Sequence, residues 1–186
     1  MKTLLSNILT IALMFASLTY AQEGRLKSEV STSEHRIALV IGNSAYEVSP
    51  LRNPVNDAFD LAQALKEIGF EVIYKENLTQ NDMKRAIRDF GEKLRNGGIG
   101  LFYYAGHGIQ VRGVNYLVPI NAKIETEEEI EYECVDAGFV LAQMESARNA
   151  MNIMILNQTA RGWHTQAALR SSCFSSSFTA AVTSAV

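Results

Sequence analysis

The chain has 186 residues, 47% of them hydrophobic and 20% charged, with a formal net charge of −3. That is enough for one domain with a full core, and the absence of any basic run leaves nucleic-acid binding without electrostatic support. Its two cysteines, Cys134 and Cys173, make neither a disulfide framework nor a metal-ligand cluster, and no cofactor is implied.

The first segment stands apart from the fold. Met1-Lys2 gives a positive start, Ile8 to Leu18 an apolar core, and Thr19-Tyr20-Ala21 a small-residue end. This is the pattern of a secretory signal peptide, residues 1–21, cut after Ala21. Its apolar run is shorter than the ~20 residues that span a bilayer, so export is expected without a stable membrane anchor. Residues 22–35 then read as a flexible leader, and nothing in the sequence speaks to oligomeric state.

Arg36 to Gly42 is apolar and β-branched, the first strand. Asn53-Pro54 predicts a helix start, with Asn as N-cap and Pro at the first helical position. Val55, Ala58, Phe59, Ala62 and Leu65 form its packed face, and Gly69 ends it. Phe70 to Tyr74 is a second strand. Thr79 caps a second helix with the stripe Met83, Ile87, Phe90 and Leu94.

Ile99 to Tyr104 is an unbroken apolar and aromatic run, fitting a central parallel strand buried on both faces. It leads to Gly106-His107-Gly108. Flanking glycines permit sharp turning and close approach, so the imidazole is expected at a strand's carboxyl end, the ligand-binding edge of an open α/β sheet. A lone histidine usually serves structure; this setting argues for chemistry instead. Gly113 to Ile120 reads as a hairpin arm, and the acidic stretch Glu125 to Glu133 as a solvated segment without the convergence that a hard cation needs. Phe139 to Arg148 is a third helix and Asn152 to Leu156 a fourth buried strand. The alternation predicts a mainly parallel sheet with helices on both faces. From Asn157 to Val186 the chain is rich in Ser, Ala and Thr, without a convincing period or an obvious further strand, and reads as a disordered tail.

Four pieces in order carry a resemblance: Arg36-Ile-Ala-Leu-Val-Ile-Gly-Asn43, Leu51-Arg-Asn-Pro-Val-Asn-Asp-Ala58, Phe102-Tyr-Tyr-Ala-Gly-His-Gly108 and Asn115-Tyr-Leu-Val-Pro119. With them the chain resembles the caspase-like cysteine peptidases, most closely the bacterial metacaspase-like branch. The resemblance covers 36–156, the large-subunit domain, and leaves 157–186 as a non-family tail. It implies a three-layer, flavodoxin-like α/β sandwich, a peptide or protein substrate, and a Cys–His dyad. His107 is then the base and acid, and Gly108 supplies a backbone N–H to the oxyanion. Asp57 lines a pocket that selects Arg or Lys before the cut. On spacing alone, Asp57 is equally a first-turn residue favoured by the helix dipole.

The family's fourth strand leads into Asp-Ala-Cys-Arg. Here Leu156 is followed by Asn157-Gln158-Thr159-Ala160. Thr159 stands in the place of the nucleophilic Cys, and Asn157 in the place of a second pocket carboxylate. A threonine hydroxyl is a far weaker nucleophile than a thiol of pKa near 8.5, and a dyad histidine does little to activate it. Cys134 reads as a half-buried structural thiol, and no motif places Cys173. Three descriptions follow: an endopeptidase, a non-catalytic domain that binds a peptide or partner, or a truncated or frame-altered fragment whose sheet lacks its last strands. The fragment describes this chain first, and the endopeptidase its inherited function. A flavodoxin-like binding domain would need a phosphate-cradling loop after the first strand, where Gly42-Asn43-Ser44 offers one glycine.

Overall fold

The β-branched run at the start of the domain forms strand β1 (Arg36–Gly42), buried along nearly its whole length. The structure, a computed structural model, describes residues 35–95, 98–160 and 176–184, with 159–160 and 176–184 as backbone only. The expected signal peptide, nearly all of the leader, and Cys173 lie outside these residues.

Helix α1 (Pro54–Glu67) and strand β2 (Glu71–Glu76) follow, then helix α2 (Gln80–Leu94) and strand β3 (Ile99–Val111). β1 pairs in parallel with β2 and with β3. β3 pairs in parallel with β6 (Met151–Ala160), and β6 pairs antiparallel with β7 (Ser176–Ser184). This seven-stranded α/β sheet therefore runs β2-β1-β3-β6-β7. A hairpin branches from the far end of β3 through β4 (Val114–Leu117) to the two-residue strand β5 (Val135–Asp136). Its turn residues Arg112 and Gly113 both have positive φ, 50° and 82°, as a two-residue hairpin turn requires. Before β5 a 3-10 turn (Glu127–Glu129) leads into helix α3 (Ile130–Glu133), and helix α4 (Ala137–Ser146) follows.

The two faces of the sheet are covered separately. Met83, Ile87, Phe90 and Leu94 of α2 are fully buried against Leu39, Phe102, Tyr104 and, from α4, Val140 and Met144. Ala58, Ala62 and Leu65 of α1 cover Val40, Leu101 and Tyr103 on the other face. Each large side chain so buried contributes about 1.5–3 kcal/mol. A third cluster, with Tyr46, Ile109, Val118, Ile130 and Cys134, lies where the hairpin leaves the sheet.

Several expectations are corrected. Phe59 is not on the packed face; it is 48% exposed and meets Tyr74 edge-on at 6.0 Å, because it lies about 100° around the helix from Ala58. Asn53 precedes α1, but its side chain caps nothing; the Ser44 hydroxyl accepts the Val55 N–H at 3.2 Å instead. β3 does not turn at Gly106-His107-Gly108 but continues to Val111, since the β4 hairpin takes up its pairing from Gly108 onward. β6 does not end at Leu156: its pairing with β3 runs to Ala160, and 176–184, expected as unstructured, form β7. Pairing there is backbone-driven, and Phe, Thr and Val in β7 suit a strand even without apolar alternation.

Candidate active site

The parallel strands β1, β3 and β6 set the site, because their carboxyl ends are staggered. β1 stops at Gly42, level with Ala105, while β3 and β6 run on side by side. The loop after β1 closes over the gap. Buried Asn43 anchors it, its backbone N–H reaching Ala105 O at 2.8 Å and its Oδ1 accepting the Leu78 N–H at 2.9 Å. Asn77 Oδ1 accepts from the backbone of Ser44 and of Ala45, both at 2.9 Å.

His107 lies in this gap with 1% exposure. Its backbone N–H donates to the Tyr46 hydroxyl at 2.9 Å, and the two rings are tilted against each other with centroids 4.4 Å apart. Its carbonyl accepts the Val118 N–H at 3.0 Å and lies 2.9 Å from the Tyr104 hydroxyl. The Tyr46 and Tyr104 hydroxyls are 3.1 Å apart and both reach Val118 O. Complete burial holds the Tyr104 phenol well above its ordinary pKa, so it stays a neutral donor. Ser49 O lies 2.8 Å from His107 Nε2. A carbonyl only accepts, so Nε2 carries the proton and Nδ1 holds the lone pair of the neutral ring.

The flanking glycines serve close approach rather than turning. A Cβ on Gly106 would stand 2.6 Å from both tyrosine hydroxyls, and one on Gly108 would stand 2.0 Å from Gln158 Oε1. Gln158 is a residue that sequence reasoning passed over: its buried carboxamide covers the outer side of Gly108.

Register brings the other sequence-predicted positions to the same place. On β6, Asn157 pairs with Ala105, Thr159 with His107 and Ala160 with Gly108. Strand alternation puts positions 103, 105, 107, 157 and 159 on the α1 face of the sheet. Asn157 Nδ2 donates to the Tyr103 hydroxyl at 3.3 Å. Burial raises the Tyr103 phenol pKa; the Asn157 hydrogen bond opposes this, and the negative charge of Asp57 adds to it. Asp57 is thus close enough to act on Tyr103, while its carboxylate is exposed in the first turn of α1.

Cys134 belongs to another environment. It is 2% exposed, and burial, then the charge of Glu133, pushes its thiol up to about 12. A thiol so held is not a nucleophile at neutral pH. On the other side of His107 a cavity of about 320 Å³ opens along Ile109. Among the described residues no group of three or more His, Cys, Asp or Glu is placed to hold a metal ion.

The profile of the Caspase domain family matches residues 35–182, through β6 and into β7. Over 126 residues the chain is 31% identical to mucosa-associated lymphoid tissue lymphoma translocation protein 1 of Homo sapiens and to its homolog in Mus musculus. Each match covers 67% of this chain but 15% of the relative, so the chain spans a small part of the curated proteins it matches.

Proposed function

Because the chain belongs to the caspase domain family of cysteine peptidases, we propose that its site is that of a metacaspase-like endopeptidase that binds peptides at Arg or Lys and, with Thr159 at the nucleophile position, does not cut them. The observation that carries this reading is the register pairing of position 159 with His107 on one face of two parallel strands. Neighbouring strands lie about 4.8 Å apart, so positions 159 and 107 are direct cross-strand neighbours on that face.

In the family reaction a thiolate at that position attacks the scissile carbonyl, and water later hydrolyses the thioester. Nδ1 of His107 takes the thiol proton and returns it to the leaving amine, while Ser49 O keeps the ring in the required tautomer. The Gly108 N–H faces the developing oxyanion. Asp57 receives the guanidinium or ammonium of the residue before the cut. Asn157 leaves that pocket with one carboxylate where the family arrangement has two.

Purified chain offered Arg and Lys peptide substrates should give no turnover. Turnover that His107→Ala abolishes would overturn the inactive assignment. The roles themselves are tested by repair, replacing Asn157-Gln158-Thr159-Ala160 with Asp-Ala-Cys-Arg. The new thiol should be alkylated by iodoacetamide at pH 7 about tenfold faster than in the same protein carrying His107→Ala, since a histidine partner lowers a thiol pKa. Once a family-type small-subunit segment completes the pocket walls, cleavage should follow Arg or Lys rather than Asp. Asp57→Ala should remove that preference; if the preference survives, Asp57 is not in the pocket.

A further inference from the structure

We infer that the cavity beside His107 receives an apolar side chain from the residue that follows the scissile bond. This rests on the peptide-substrate reading above and extends it to the leaving-group side. β3 provides the scale. Its positions on the α1 face, 103, 105, 107 and 109, succeed one another at about 6.6 Å. Tyr103 and Asn157, with Asp57 acting on Tyr103, occupy the steps before His107. Position 159, where the scissile carbonyl must lie, is level with His107. A peptide whose basic side chain turns toward Asp57 therefore leaves the site in the direction of Ile109.

Chemistry requires the same direction. His107 protonates the leaving amine, so the residue bearing that amine rests against the imidazole. The cavity borders it: His107 and Tyr46 line it together with Ile109, Val118, Ile120 and Ile124. Ile120 and Ile124 are half-buried and packed against the Tyr46–Ile109–Val118 cluster. At about 320 Å³ the space is at the lower bound of small-molecule pockets. It suits one large side chain rather than a cofactor. At the rim stand Glu47, Glu125 and Lys123, all exposed, a net negative edge that repels an acidic residue. Leu, Ile or Phe after the cut gains the transfer of its side chain from water, and Gly gains nothing.

The test uses the full chain as it exists, which leaves bound peptide intact. Fluorescence anisotropy is read with labelled Ala-Ala-Arg-Leu-Ala-Ala and with peptides carrying Gly or Asp in place of Leu. A fourth peptide has Asp in place of Arg, and a fifth has Leu before Arg instead of after it. The Leu peptide should bind about tenfold more tightly than the Gly peptide, and the Asp peptide more weakly still. Leu before Arg should bring no gain. Ile124→Asp should remove the Leu preference and keep the Arg preference, with far-UV circular dichroism reporting its fold; the peptide series on the unmodified chain decides the matter if that variant misfolds. Equal binding of the Leu, Gly and Asp peptides, with Arg still required, overturns this inference and leaves the peptide site standing. No binding of any peptide overturns the site and this inference with it.

Discussion

Gly108 is where one residue governs the site most directly, since the Gln158 side chain occupies the place its Cβ would take, next to His107. Gly108→Ala should cost about 1–3 kcal/mol by overpacking. In a Gln158→Ala background the added methyl finds space, because the two closest atoms both belong to the Gln158 carboxamide, at 2.0 and 2.2 Å. A urea-unfolding double-mutant cycle should therefore show most of that cost cancelling. A cost that persists would place the clash in the backbone. Cys134 gives a second residue-scale expectation. With its thiol raised to about 12, it should resist iodoacetamide at pH 8.5 in the native chain and react after denaturation, as read by peptide mass mapping. Linkage has a definite sign here. The folded-state pKa is raised, so this thiol's stabilising share is complete below the unfolded-state value near 8.5. It is drawn down as pH rises from there and is lost through about 12.

At the scale of elements, the contact between β1 and the start of α1 fixes where Asp57 stands. A Cβ on Gly42 would meet Pro54 O at 2.7 Å, Ala58 Cβ at 2.8 Å and Val55 Cα at 2.9 Å. Two of these are backbone atoms that cannot turn away. Gly42→Ala should therefore destabilise the chain by about 3 kcal/mol, against the smaller, rescuable cost at Gly108, and it should weaken binding of Arg peptides in the variant that still folds. Thermal melts and anisotropy titrations measure the two effects; an unchanged melting temperature would mean that α1 is free to shift. The Ser44 hydroxyl at the first turn of the same helix follows this logic, since a loop residue ten positions earlier in the chain than the helix start takes over the cap that Asn53 leaves unmade.

For the molecule as a whole, the weak place is the edge of the sheet. Among the described residues β7 pairs only with β6, and residues 171–186 contain no charged side chain, whereas the opposite edge strand β2 carries exposed Glu71, Lys75 and Glu76. An uncharged edge pairs readily with other chains. Light scattering should show concentration-dependent association that Ser176→Lys with Ser184→Lys reduces; unaltered scattering would remove the edge as its cause. How much of all this was legible in advance follows from the reach of each signal. The stripe Met83–Ile87–Phe90–Leu94, the run from Ile99 to Tyr104 and the motif around His107 are local patterns, and burial of apolar side chains at helix or strand spacing gives the same element in almost any context. Those residues by themselves determined the α/β class and the caspase resemblance, but not that β3 runs on past His107 to Val111. Asn157 to Ala160 carry no such period, and their continuation as β6 comes from four further register pairings, with Ala105 to Gly108 of β3, which no window on the chain contains. The same holds for the Ser49 carbonyl that fixes the His107 tautomer, the Tyr46–Tyr104 pair, and Gln158 over Gly108. Each joins residues far apart in sequence through a contact of a few ångströms, and only the tertiary structure, by setting strand register and loop closure, decided them.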